Sequence, residues 1–485
     1  MKADDLPDNG RRGFLKAAGI AMASSALANS AIAAGTQKLE AAAGQQSASS
    51  GAYDVIVLGA GFAGLAAARE CAQRGHKVLL VEARSRIGGR TFTSQYLDHR
   101  VELGGTWIHP TQPFVWGEVR RYGLGIAESP GVTAETGSWL AGGKLHKGDL
   151  MALMPRLNQA FNTFCDVDGQ SGRTVFPRPY EPLFNRTSVA KYDGLSLTQR
   201  LAQVELDPEM RDLVNCMFTQ NCNADPADAA FLDQLHWYAN CDYDLGLLFD
   251  RCGRFKIVEG MAGLANAMLG DAAVELLLSA QVRQVDNQAQ GALVTLASGQ
   301  RLQAREVICT VPVNCLTDIE FKPALSPAKN AASKVGYAGQ GIKVYAHVRQ
   351  KIGVWLGLAP YPSPIIVAFT EEERDDGTLL VLFVKPEAFD PNDKAAVQAA
   401  LHTLYPGLEV SAVMFHHWAQ DPYAKGTWAF YRPGQMLENQ DALRTGEGHV
   451  HFASGDTATG WHGFVDGALQ SGIETAHGVC KRLKA

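Results

Sequence analysis

The segment YDVIVLGAGFAGLAAARECAQRGHKVLLVEA holds the residues best suited to chemistry. Gly59, Gly61 and Gly64 have the G-x-G-x-x-G spacing. The first permits a tight turn, the second admits a pyrophosphate to the backbone, and the third lets a helix pack on its strand. Glu82 closes the next apolar run and can accept hydrogen bonds from a ribose. The chemistry implied is dinucleotide binding. Much later, GTWAFYRPG puts Trp428, Phe430 and Tyr431 within four positions. Flat rings in such a segment pack in a core or face a ligand.

The glycine spacing is specific only in the right setting. Val55 to Leu58 reads as a buried parallel strand, and 62–74 as the helix that follows. Ala63 lies in its first turn, where free N–H groups face phosphate. Lys77 to Val81 reads as a second strand ending at Glu82. Near the other terminus, Val450 to Ala453 reads as a strand, followed by a turn and a helix at 463–483. Val465, Leu469, Ile473, Ala476 and Val479 form one stripe at helical spacing.

The totals bound the function. Hydrophobic residues at 46% and charged residues at 19% suit a globular fold larger than one typical core. A net charge of −6 argues against a nucleic-acid surface. Nine cysteines show no metal-ligand spacing, so no metal site is expected. Residues 1–33 place Arg11 and Arg12 before a short, weakly apolar run and an Ala-Ile-Ala site. That layout is an export signal rather than a membrane span. It resembles a twin-arginine signal, which implies export of a folded protein to the periplasm, or a cytoplasmic protein if the signal is unused. Residues 34–52 read as a flexible linker.

Glu82-Ala83-Arg84 followed by Gly88-Gly89-Arg90 resembles the FAD signature of the flavin amine oxidases. Gly104-Gly105-Thr106-Trp107 resembles their flavin-facing loop, and HVHFASGDTATGWHGFVDGALQSG their C-terminal motif. The resemblance spans nearly the whole chain after the linker. It implies FAD held by Gly89, Arg90, Gly105, Thr106, Asp456, Thr457 and the Val465 N–H, with Val282 at the adenine. It implies an α/β (α+β) fold with a discontinuous Rossmann-like FAD-binding domain at 53–125, 255–320 and 425–485. A mixed-sheet and helical substrate domain would comprise 126–254 and 321–424. The first of these stretches reads mostly as helices (148–165, 207–219) and loops. The second adds strands at 342–349, 364–370, 378–385 and 410–418. The run 306–316 reads as a buried strand ending at Pro312.

In that family two aromatic rings stand across the flavin as an open cage for a neutral amine. Trp428 and Phe464 fall on those positions. Thr427 stands where monoamine oxidases have the cysteine that bonds the flavin, which implies non-covalent FAD. Lys343 matches a lysine beside the flavin, on a strand whose other face carries Ile342, Val344 and Ala346. His109 and Trp107 fall at substrate-facing positions. A tryptophan cannot clamp a carboxylate, which disfavours amino-acid substrates.

The implied reaction is oxidation of a C–N bond to an imine, hydrolysed to an aldehyde and methylamine. Runs such as FPRPYEP and GWHGFVDGALQSG are similar to bacterial nicotine-degrading flavoenzymes. A complete aromatic pair suits the open-chain, pyridine-bearing secondary amine pseudooxynicotine. Nicotine, polyamine and broad monoamine oxidation are the alternatives, and an exported flavin electron carrier is the non-enzymatic one. A polyamine site should present several carboxylates; Asp242, Asp244 and Asp250 cluster but read as a solvated loop. The electron acceptor is dioxygen or a cytochrome c, and a homo-oligomer is allowed.

Overall fold

The computed structural model describes residues 52–96 and 99–484. The expected export signal (1–33) and nearly all of the expected linker (34–52) lie outside the described residues.

Buried hydrophobic runs become the centre of an eight-stranded sheet. Tyr53–Leu58 pairs in parallel with Val78–Val81 on one side and Arg301–Cys309 on the other. Val78–Val81 is buried throughout, as a strand covered on both faces requires. Val450–Phe452, from the far end of the chain, joins in parallel beside Arg301–Cys309. The strand expected from 306 to Pro312 therefore starts earlier and stops at Cys309, with a 3-10 turn over Val313–Asp318. The Asp456 carboxylate explains the stop, because it captures the Val313 N–H at 2.9 Å.

Helices Phe62–Gln73 and Val465–Lys484 cover one face. The expected stripe of the last helix is the buried one: Leu469, Ala476 and Val479 join Val55, Leu65 and Ala66 in one core, with Val465 and Ile473 packed against it. Gly64 is obligatory, since a Cβ there would lie 1.9 Å from the Gly59 carbonyl oxygen.

A second sheet of seven strands runs in the order 410–415, 342–348, 377–384, 365–374, 355–358, 136–141, 144–149. Ile342, Val344, Ala346 and Val348 face a hydrophobic core with Leu380, Leu382 and Val384. The alternation of a strand sends Lys343 to the other face. Helices Leu150–Cys165 and Pro208–Cys222 pack against this sheet, and Phe231–Asn240 and Leu245–Gly253 pack on those helices. The reading of 126–254 as helices and loops omits the hairpin Thr136–Ala141 and Lys144–Asp149. Its signal was Gly142-Gly143, both at positive φ, which makes a tight hairpin turn.

Arg69, on the glycine-loop helix, is 2% exposed and forks onto Glu118, 8% exposed, with Nη2 donating to Oε1 at 2.7 Å. Glu118→Leu removes the bidentate partner of a buried guanidinium, leaving it Glu70 at 3.2 Å and the Tyr122 hydroxyl at 2.8 Å, and should cost about 1.5–3 kcal/mol in urea unfolding. Adding Arg69→Met should recover most of that loss. A single variant within about 1 kcal/mol of wild type would show that the pair carries no such weight.

Candidate active site

A cleft of about 2010 Å³, counting solvent space at its mouth, opens beyond the carboxyl ends of the central parallel strands. Gly59, Gly61 and Ala63 line it from the glycine loop, and Glu82, Ala83 and Arg84 from the end of the second strand. Glu82 accepts from the backbone N–H groups of Ala60 and Arg84, both at 2.8 Å. Its carboxylate is thus fixed at the cleft wall. Arg84 pairs with Asp421 at 2.6 Å and lies over the Tyr423 ring. Burial alone would raise the Asp421 carboxyl. Hydrogen bonds from His416 and the Tyr423 N–H, with the charge of Arg84, hold it well below the usual range instead.

Gly89, Arg90, Gly105, Thr106, Val282 and Val465 also line the cleft. Arg90 donates to the Thr427 carbonyl at 2.9 Å and is ion-paired with Asp456. Asp456 and Thr457 themselves stand behind the wall. The Asp456 carboxylate is spent on Arg90 and Val313, and Thr457 closes a capping box with Ser454. Ser454 and Gly455 line the cleft in their place. Gly64 also lies behind the lining, where its role is helix packing.

A dinucleotide fits this end. The glycine-loop helix starts at Gly61 with no side-chain cap, so its first-turn N–H groups have no side-chain acceptor. A Cβ on Gly89 would come within 3.0 Å of the Gly61 Cα, so two bare backbone segments meet here. Uncapped N–H groups at a helix start, with backbone free of side chains, are what a pyrophosphate requires. Sequence reasoning missed Arg86, which donates to the carbonyls of Ile87, Gly89 and Thr91 and so fixes this loop. Burial and the charge of Arg84 pull its guanidinium down to about 10.

The other end is walled by rings. Trp107 lies 6.2 Å from Phe383, and Phe383 lies 6.3 Å from Trp428 at 74°. The Trp428 indole N–H donates to the Asn221 carbonyl at 2.8 Å, which fixes the ring plane. Phe464 packs at 4.6 Å on Trp237 and 5.0 Å on Trp461. Trp107, Trp237, Phe383, Trp428 and Phe464 all line the cleft. Trp237 and Phe383 carry no motif, and only the fold brings them here.

Lys343 lines the cleft at the junction of the two ends. Its Nζ donates to the Gly104 carbonyl and to Thr106 Oγ1, both at 2.6 Å, and sits 5.0 Å from the Trp107 ring. Burial pulls it down to about 8 against the opposing pull of Glu102 and Glu371.

His109 is not brought to the cleft. It contacts Asp250 at 3.0 Å and Thr111 at 2.8 Å, and stacks on Phe255. Both ring nitrogens are occupied: Nε2 ties the loop to the Leu245–Gly253 helix through Asp250, and Nδ1 bonds Thr111 within the loop itself. The acidic cluster is structural too: Asp242 pairs with Arg251, Asp244 caps that helix, and Asp250 pairs with Arg254. All nine cysteines are free thiols, eight of them buried, and no metal-ligand cluster occurs among the described residues.

Comparison with known proteins gives a consistent picture. The family profile described as flavin containing amine oxidoreductase matches residues 62–480. A pseudooxynicotine dehydrogenase of a Pseudomonas species is 37% identical over 437 residues, covering 89% of this chain and 87% of that protein. A nicotine dehydrogenase of Pseudomonas putida is 33% identical, covering 89% of each. Among solved structures, putrescine oxidase bound to putrescine aligns with a TM-score of 0.76 at 24% identity, over 89% of this chain and 99% of that one. That last likeness concerns the fold.

The position of Lys343 gives a pH signature. Its folded pKa of about 8 lies below its ordinary 10.5. Between those values the unfolded chain holds the extra proton, so this group makes stability rise with pH across that window. Wild type should therefore gain on Lys343→Met as pH is raised from about 8 to about 10.5, in parallel denaturant titrations. A difference that stays flat or falls would show that Lys343 is not the strained cation described.

Proposed function

The chain belongs to the flavin containing amine oxidoreductases, and from that premise we propose that it oxidises the C–N bond of a pyridine-bearing secondary amine, pseudooxynicotine, to an imine that water converts to an aldehyde and methylamine. It is an enzyme, FAD is its cofactor and a small amine its substrate.

FAD supplies the two-electron oxidation when bound. The chain's own residues hold it, hold the amine, and keep water out. Gly59, Gly61 and Ala63 would cradle the pyrophosphate, Glu82 would meet the ribose, and Gly105, Thr106 and Val465 would border the ring system. Lys343 locks the 104–106 loop by two hydrogen bonds, so that wall is rigid.

The observation that carries the substrate reading is the aromatic end of the cleft. Trp428 and Phe464 are each braced by contacts that point their rings into it. Ring faces carry negative potential and position an amine through its N–H hydrogens. A narrow aromatic wall also desolvates the amine, which favours its neutral form. Glu82 and Asp318, the carboxylates lining the cleft, both sit on the nucleotide side. A second ammonium group, as in a polyamine, would find no counter-ion at the aromatic end. The 37% identity to a protein named pseudooxynicotine dehydrogenase supports the open-chain amine.

Two experiments test this. Anaerobic mixing with pseudooxynicotine, nicotine, spermidine and benzylamine should bleach the yellow cofactor fastest with pseudooxynicotine; fast bleaching by spermidine with none by pseudooxynicotine would overturn the substrate. The attachment of FAD is a separate question. Thr427 lines the cleft and its hydroxyl accepts from Asn223 at 3.2 Å. A hydroxyl cannot form the thioether, so acid precipitation should leave the colour in the supernatant. Colour held in the pellet would mean a covalent link.

A further inference from the structure

In the last turn of the Pro208–Cys222 helix, Thr219, Asn221 and Cys222 are buried, whereas Gln220 is partly exposed and lines the cleft. Its neighbour Asn221 carries the carbonyl that fixes Trp428, which places Gln220 at the aromatic end. The other polar side chains there are committed. Asn221 donates to Gln234 at 2.9 Å, Asn223 donates to Thr427, and Lys343 is spent on Gly104 and Thr106. The Trp107 indole N–H reaches Ser129 at 3.3 Å. The Trp237 indole N–H has no partner, but it is sealed beneath the surface. The Gln220 carboxamide has no hydrogen-bond partner among the described residues. It is left as the polar side chain of this end free to meet a ligand.

We propose that Gln220 recognises the end of the substrate remote from the reacting amine, and that it selects an uncharged hydrogen-bond acceptor there over a second cation. This rests on the amine-oxidising reading above. A carboxamide offers two N–H donors and one carbonyl acceptor. Its Nε2–H suits a heteroaromatic nitrogen or a ketone oxygen. A distal ammonium is disfavoured on two counts. No carboxylate lines this end to pair with it, and the Lys343 ammonium already occupies the wall. The distal group is therefore read by one neutral side chain, inside walls whose other polar groups are already engaged.

The test compares kcat/KM for pseudooxynicotine with that of its phenyl counterpart, in which a carbon replaces the ring nitrogen, and for putrescine with that of butylamine. Wild type should prefer the pyridyl amine by about tenfold. Gln220→Leu should collapse that ratio toward one while retaining the cofactor spectrum and melting temperature of wild type. Gln220→Glu supplies the missing counter-charge and should raise the putrescine-to-butylamine ratio by about tenfold or more. An unaltered pyridyl-to-phenyl ratio in Gln220→Leu, or an equal loss on both amines, would overturn the assignment while the amine-oxidising reading stands. A wild type that oxidises neither ring amine would remove the substrate reading instead. Gln220 would then be judged by the putrescine-to-butylamine ratio, and no rise in Gln220→Glu would overturn it.

Discussion

A Cβ on Gly472 would lie 2.2 Å from the Ala63 carbonyl oxygen, so the last helix makes this close approach to the glycine-loop helix at a position that carries no side chain. The remaining geometry hangs on that approach. It sets the start of Val465–Lys484 over the start of Phe62–Gln73, so that two helix N-termini from opposite ends of the chain border one cleft. Each N-terminus carries partial positive charge. A cofactor bearing a pyrophosphate at one place and accumulating electrons at another is matched by such a pair. Asp466 belongs to this junction. Fully buried, it accepts the Val115 N–H at 2.9 Å and so joins the last helix to Pro113–Arg121. Burial pushes its carboxyl up to about 7.

Cations at the cleft's margin tie together segments that are far apart in the chain. Arg84 reaches Asp421, Arg90 reaches the Thr427 carbonyl, and Lys343 reaches the Gly104 carbonyl. Each strap ends on a segment that also contributes lining residues. The loops that border the cofactor site and the rings that border the substrate site are therefore held by the same contacts. His462 anchors the segment just before Phe464. It stacks on Tyr431 at 4.4 Å and contacts Asp233, whose charge lifts it above its ordinary pKa against the lowering effect of burial.

What was legible in the sequence follows from what each feature depends on. Gly59, Gly61 and Glu82 were readable because their chemistry is local: a turn, a backbone approach and an acid at a strand end. The stripe from Val465 to Val479 was readable because helical period and burial agree. Trp428, Phe464 and Lys343 were found through the family resemblance rather than through any local pattern. Arg86, Phe383, Trp237 and Gln220 carry no local signature. Their place at the cleft is set by non-local packing, in which a strand register or a helix rotation decides which side chain faces the open space. His109 shows the converse, since its type suited a site but Asp250 and Phe255 claimed it. The hairpin at 136–149 was hidden because its strands mix Trp139 and Leu140 with Lys and His rather than alternating cleanly.

The charge pattern then constrains which protonation state of an amine the cleft accepts. The charged side chains lining it are engaged: Glu82 with backbone N–H groups, Arg84 with Asp421, Arg90 with Asp456, Asp318 with Lys425, and Lys343 with a carbonyl and a hydroxyl. An entering ammonium finds no free carboxylate and meets a lysine already strained by burial. It gains only the modest attraction of the ring faces, about 0.5–2 kcal/mol, against a larger loss of hydration. A neutral amine suffers neither penalty and keeps the lone pair that C–N oxidation draws upon. On the proposed reading, the aromatic walls and the paired charges are two parts of one filter, which admits the deprotonated amine and leaves the remaining discrimination to the group at its far end.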